Sequence, residues 1–348
     1  MKDSEQSIGK RIFIRYAISA LSAMALGLFA SLIMGTILEQ VGNFIEPLSF
    51  LVSFAQMAKS PEVVGSTIGI AIAWGLKVSP LAMFASAISG AIGYQLGGPL
   101  GCYVSAVVGA DVGNLLAGKT KVDIIIVPCI TIVVGGAVAM FASPGINAMM
   151  EGLRQFLNTA TTMQPIPMGI VVAVVVGLAL TAPISSAALC AMIFAVPQDG
   201  ELGLGLQLAA GAATAGCCAQ MVGFACASYP ENKMGGLIAQ GVGTSMLQVS
   251  NILSHPCILI PPTVASAVVG PLATTVFSMR NVGVFAGMGT SGFVGQIGTF
   301  QMMTEPFGVV LSKVLLLHFV LPAIISIVVS AWMRKKGWIA KGDMKLQV

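Results

Sequence analysis

The chain has 348 residues, of which 56% are hydrophobic and only 9% charged, whereas soluble domains carry about 25% charged residues. The composition excludes an ordinary soluble domain and reads as an integral membrane protein. The net charge of +4 gives no case for nucleic acid, because nine of the 17 Lys and Arg sit in the two tails.

Residues 1–10 are polar, and Ile12 to Leu38 is an apolar run interrupted by Arg15. Ala23-Met24-Ala25 has the form of a signal cleavage site. The run is too long for a signal core of about 7 to 15 residues, so it reads as the first span. Val41, Phe44, Ile45, Leu48, Leu51 and Val52 then form a helical stripe. Gly65 to Leu76 and Leu81 to Leu96 are short for full crossings, which need about 20 residues. Pro99 to Gly118 is apolar apart from Asp111 and Asn114, which share a helix face. Asp123 opens the next span, Ile124 to Ala142.

Ser143 and Pro144 look like an N-cap with proline in the first turn of a new helix. Behind them Ile146, Met149, Met150, Leu153, Phe156, Leu157 and Ala160 make one apolar face. This predicts an amphipathic helix over 143–163 lying along the interface, dividing an N-terminal helical half (11–142) from a C-terminal half (164–333).

The second half holds the apolar stretch Pro165 to Ala188, an acidic loop Gln198 to Glu201, and Leu202 to Ser228. That last run is rich in Ala, Gly and Cys, which favours close helix packing. After Met234 to Leu253 comes Ser254-His255-Pro256, followed by Pro261 and Pro262, which disfavour an ordinary helix. Asn281 to Pro306 has glycines at 283, 287, 289, 292, 295 and 298 and no charge before Glu305. Irregular backbone at membrane depth survives only inside protein or beside a water-filled cavity. The carboxylate that ends the run is therefore placed to line a substrate site. Val314 to Met333 is the last span, ending in Arg334-Lys335-Lys336; residues 334–348 are the second tail. Basic residues at both ends predict two cytoplasmic tails.

The expected fold is an all-α polytopic membrane protein, with roughly eight to ten transmembrane helices plus broken or re-entrant segments and the interfacial helix. The seven cysteines lack paired spacing, so neither a metal site nor a disulfide framework is expected. No cofactor and no catalytic constellation are expected either. Intramembrane ionisable residues default to function, which singles out Glu305, Asp111 with Asn114, and His255. Lys313 and His318 read more simply as a snorkelling cation and a packing histidine.

Thr304-Glu305-Pro306 after a glycine-rich run resembles the TEP motif of the membrane-embedded IIC subunits of the bacterial phosphotransferase system. The motif's glutamate contacts sugar hydroxyls there, and His255 is placed like a histidine that several such subunits bring to the sugar. The chain is also similar to a divergent IIC-like group that includes toxin-production regulators. This resemblance implies a homodimer in the bacterial cytoplasmic membrane, with a sugar-sized cavity in each subunit. It implies a sugar or small polyol held by Glu305, Thr304 and His255, with Asp111 and Asn114 as further candidates. Gly292, Gly295 and Gly298 would let the backbone approach the ligand. Coupling to sugar phosphorylation would need separate IIA and IIB proteins. Two alternatives stand beside transport: a membrane sensor or regulator with the same fold, and an ion-coupled carrier of another polar metabolite with Asp111 as the titrating group.

Overall fold

A computed structural model describes residues 8–182, 185–196 and 202–346. The N-terminal tail through Ser7 and the acidic loop Gln198 to Glu201 lie outside these. The described elements are helical, and six helical stretches are long and apolar enough to cross a membrane. The chain divides into two compact units, residues 1–152 and 153–348.

The first unit begins with α1, Arg11–Asn43, which contains two π-helical turns, Ile14–Ala20 and Phe29–Ile33. α2 (Leu51–Ala58) and α3 (Pro61–Gly75) follow. Residues 80–116 are hydrogen-bonded as helix throughout, but Gly98 at φ 59°, ψ −154° breaks them into two arms, α4 (80–96) and α5 (99–116). A straight helix would hold Ser79 and Asn114 about 52 Å apart. Instead the Ser79 amide donates to Asn114 Oδ1 at 2.7 Å, and Ser105 Oγ donates to the Ser89 carbonyl at 2.7 Å. The segment is a helical hairpin, and its Gly97-Gly98-Pro99 turn uses a backbone conformation open mainly to glycine. Ser105 also donates to the Gly135 carbonyl at 2.8 Å, joining the hairpin to α6, Asp123–Met163.

α6 corrects one expectation. It runs for 41 residues with Pro128 and Pro144 inside it, so Ser143 caps no new helix. Proline removes one amide donor, and in membrane helices neighbouring groups absorb that loss. The apolar positions Met149, Phe156 and Met163 are exposed, while Arg154 donates to the carbonyls of Met192 and Ile193, each at 3.3 Å.

In the second unit α7 (Pro165–Thr181) and α8 (Ser186–Ile193) precede α9 (Leu204–Ala227), which is buried along nearly its whole length. Its small residues explain how. Alanine, glycine and cysteine let α7, α12 (Ile260–Thr274) and the last helix, α14 (Phe307–Lys335), close around it. Between α9 and α12 lie α10 (Tyr229–Ile238) and the short α11 (Val249–Ser254). α13 (Val294–Met302) ends the glycine-rich segment. The core around α9 includes Phe194, Leu206, Val269, Met279, Val310 and Leu317.

Candidate functional site

The glycine-rich segment enters the second unit as two short 3₁₀ turns, Gly283–Gly287 and Ser291–Phe293, before α13. Phe293, the residue before α13, is left-handed at φ 59°, ψ 18°, a conformation costly for a non-glycine residue and concentrated at functional sites. Asn281 anchors the run. Its side-chain amide donates to Thr214 Oγ1 at 2.7 Å, the Gly295 carbonyl at 2.9 Å and Thr299 Oγ1 at 3.3 Å. Its own amide donates to the Gln207 carbonyl at 3.2 Å.

This packing defines what the glycines do. A Cβ at Gly298 would collide with Phe285 and Asn281, and one at Gly295 with the Gly289 carbonyl and Thr214. Both therefore approach protein. Gly292 has a positive φ of 52°, and a Cβ there would make only an ordinary contact with Val294.

A second polar level lies further along α9. Gln296 Nε2, on α13, sits 3.0 Å from His318 Nδ1 and 3.4 Å from Cys218 Sγ. His318 belongs to a π-helical turn of α14, Leu315–Val320, a local geometry frequent at functional sites. The rings of Phe293 and Phe319, 6.4 Å apart, close the same junction. His318 is fully buried, yet its Nε2 and Gln296 Oε1 have no hydrogen-bond partner among the described residues, and neither do Ser326 Oγ and Ser330 Oγ further down α14. Each unsatisfied buried polar group costs about 1–3 kcal/mol. A third level is satisfied: Gln220 accepts from Thr181 at 3.3 Å and donates to Thr263 at 3.3 Å and Ser266 at 3.4 Å.

The residues singled out by sequence fall in separate places. Glu305 is exposed and pairs with Lys313 at 2.7 Å, while Lys313 also donates to the Phe277 carbonyl at 3.0 Å. Thr304 beside it is exposed. His255 is exposed too, with Nδ1 3.6 Å from Asp343 Oδ1 in the C-terminal tail. That tail is bound by side-chain amides. Asn232 and Gln248 donate to the Met344 carbonyl at 2.8 and 2.9 Å, Asn251 donates to the Lys345 carbonyl at 3.0 Å, and Met344 is buried. A cleft of about 440 Å³ lies between His255, Asn251, Asp343 and Lys345. Arg334, at the tail end of α14, binds Glu231 at 3.0 Å, and the Gly342 amide donates to the same Glu231 oxygen. Lys313 and Arg334 are 21 residues apart on one helix, a rise of about 30 Å. Glu305 and His255 thus sit at opposite ends of α14.

Asp111 and Asn114 lie in the first unit. The Asp111 carboxylate is taken up by Arg15 and by Tyr16 Oη, the latter at 2.6 Å, and Asn114 caps the hairpin as described. The sequence reading missed two pairings, Lys313 with Glu305 and Gln296 with His318. The signal for the first is a lone lysine inside an apolar run shortly after a lone acid.

The family model described as "Phosphotransferase system, EIIC" matches residues 18–346, nearly the whole chain. No curated protein and no solved structure gives a significant match.

Proposed function

Because the chain belongs to the phosphotransferase system EIIC family, we propose that it is a sugar- or polyol-translocating membrane subunit working by alternating access. It is a multi-pass helical membrane protein, and the family match across residues 18–346 is the observation that carries the reading. A glycine-rich segment broken into short 3₁₀ turns before α13 supports it, since broken backbone inside a bundle is where transporters build substrate sites.

In this reading Glu305 and Thr304 receive solute hydroxyls, and Lys313 holds the carboxylate between binding events. An ionised carboxylate accepts several hydroxyl bonds, and charge-assisted bonds are roughly twice as strong as neutral ones. His255 lies at the other end of α14, so we assign it to the tail contact. The chain works in the bacterial cytoplasmic membrane as a homodimer, with both tails cytoplasmic and separate IIA and IIB proteins supplying phosphoryl groups. The ion-coupled alternative has less support, because Asp111 is already engaged by Arg15 and Tyr16.

The test is uptake of a labelled panel of hexoses, pentoses and hexitols into proteoliposomes, with and without the general phosphotransferase proteins and candidate IIA and IIB partners. Uptake of one member that rises with the partners is expected. No uptake under any condition would overturn transport, and binding without uptake would favour a sensor.

A further inference from the structure

Resting on the reading that the second unit handles a hydroxyl-bearing solute, we propose that His318 and Gln296 form an interior binding point for it. The imidazole Nε2–H donates to a solute hydroxyl, and Gln296 Oε1 accepts from one.

The bond between the two side chains fixes what each has left to offer. With Gln296 Nε2 donating to His318 Nδ1 at 3.0 Å, the ring proton sits on Nε2, leaving one N–H donor and one carbonyl acceptor. Both atoms are buried and without a partner among the described residues. A hydroxyl group both donates and accepts, so a polyhydroxylated neutral solute matches this pair. A cation would meet an N–H, and an anion would meet a carbonyl oxygen.

Two further observations mark the same place, and a third lies further along α14. The histidine lies on the π-helical turn of α14, where the regular ladder is interrupted. Facing it, α13 starts from the strained Phe293, so both sides of the junction depart from regular backbone. Ser326 Oγ and Ser330 Oγ, unpartnered and buried, extend the polar row along α14 toward Arg334. His318 is five residues beyond Lys313, which puts this point inward of the Glu305–Lys313 pair on the same helix.

A packing role makes the opposite prediction. If the pair existed only to fasten α13 to α14, its removal would lower stability and leave solute binding alone. If it is a binding point, its unpaired atoms are a stability cost carried for function, a common trade at sites.

The experiment measures binding of the same labelled panel to the purified full-length chain, its His318→Phe, His318→Gln and Gln296→Met variants, together with Tm. We expect affinity at least tenfold weaker in His318→Phe and Gln296→Met, with Tm unchanged or raised, and partial retention in His318→Gln, which keeps an N–H donor. Wild-type binding that survives in all variants, or a lowered Tm in both apolar variants, would overturn the inference while leaving the transport reading in place. A wild type that binds no panel member removes both.

Discussion

Lys313 Nζ lies 2.7 Å from Glu305 Oε1 and also donates to the Phe277 carbonyl at 3.0 Å, so one lysine ties the Thr304-Glu305-Pro306 corner to the end of the segment before Asn281. The Glu305 side chain is 39% exposed, and pairs this open to solvent contribute about 0–1 kcal/mol. The carboxylate therefore adds little to stability.

From that follows the first expectation. Glu305→Gln keeps the shape and the Lys313 contact but removes the charge, and hydrogen bonds to charged groups contribute about 1.5–3 kcal/mol against about 1 for neutral ones. Solute affinity should fall about tenfold, the equivalent of about 1.4 kcal/mol, with Tm shifted little. Calorimetric titration with a bound panel sugar, run beside a melting curve, checks this. Unchanged affinity with a lowered Tm would make Glu305 a structural residue.

The second expectation concerns Asn281, which is fully buried and bonds Thr214, Gly295 and Thr299 together. Asn281→Ala removes these three bonds and also takes the acceptor from the Val282 amide, which donates to Asn281 Oδ1 at 2.8 Å, at about 1–3 kcal/mol for a donor left without its partner. A clear fall in Tm is expected, larger than for Glu305→Gln. A Tm equal to wild type would mean that the glycine-rich segment is held in place by other contacts.

Much of this arrangement is legible in the sequence, for reasons that differ by element. The membrane class follows from composition, because few charges and recurring apolar runs leave no other solvent for the surface. The hairpin is only half visible: Leu81 to Leu96 is short for a crossing and stops at two glycines, but Pro99 to Gly118 has the length of a full span and nothing in it marks the fold-back. Ser143-Pro144 misleads, because a local cap signal is overridden when the preceding helix simply continues through it. The Gln296–His318 pair is out of reach for another reason. It depends on how α13 folds back onto α14 across the Thr304–Pro306 corner, and no local spacing encodes that. His318 read alone is an isolated histidine among leucines; its unpaired Nε2 exists only once Gln296 is seen against Nδ1.

The third expectation tests the hairpin. Gly98 has φ 59° and ψ −154°, a region that L residues with a Cβ adopt only under strain, at a cost of about 1–3 kcal/mol. No neighbouring atom obstructs a Cβ there. Gly98→Ala should therefore lower Tm through backbone strain alone. Asn114→Ala, which removes the bond from the Ser79 amide at the far end of the hairpin, should also destabilise, by about 1 kcal/mol. Melting curves on the two variants and their double mutant check this. Both are in the first unit, so an unaltered Tm in Gly98→Ala would mean that the two arms are not joined by the turn described.

The last expectation is that the C-terminal tail is a bound strap. Between Gly342 and Leu346 its backbone is held by Glu231, Asn232, Gln248 and Asn251, with bonds of 2.8 to 3.0 Å. Met344 is fully buried among Phe224, Ala227, Ile258 and Met333. Arg334 Nη2 lies 3.4 Å from the Met344 sulfur, so an acid at that position would be paired, whereas truncation to alanine simply removes the buried side chain, at about 2–5 kcal/mol. Met344→Ala should thus release the tail, and the lysines at 341 and 345 should become sites of rapid tryptic cleavage. Met344→Leu, which conserves volume and apolarity, should leave protection as in wild type. The comparison is limited proteolysis of the three proteins followed by mass spectrometry. Equal cleavage in wild type and Met344→Ala would mean that the buried methionine does not hold the tail in solution. Faster cleavage confined to Met344→Ala would identify it as the group that keeps the strap closed.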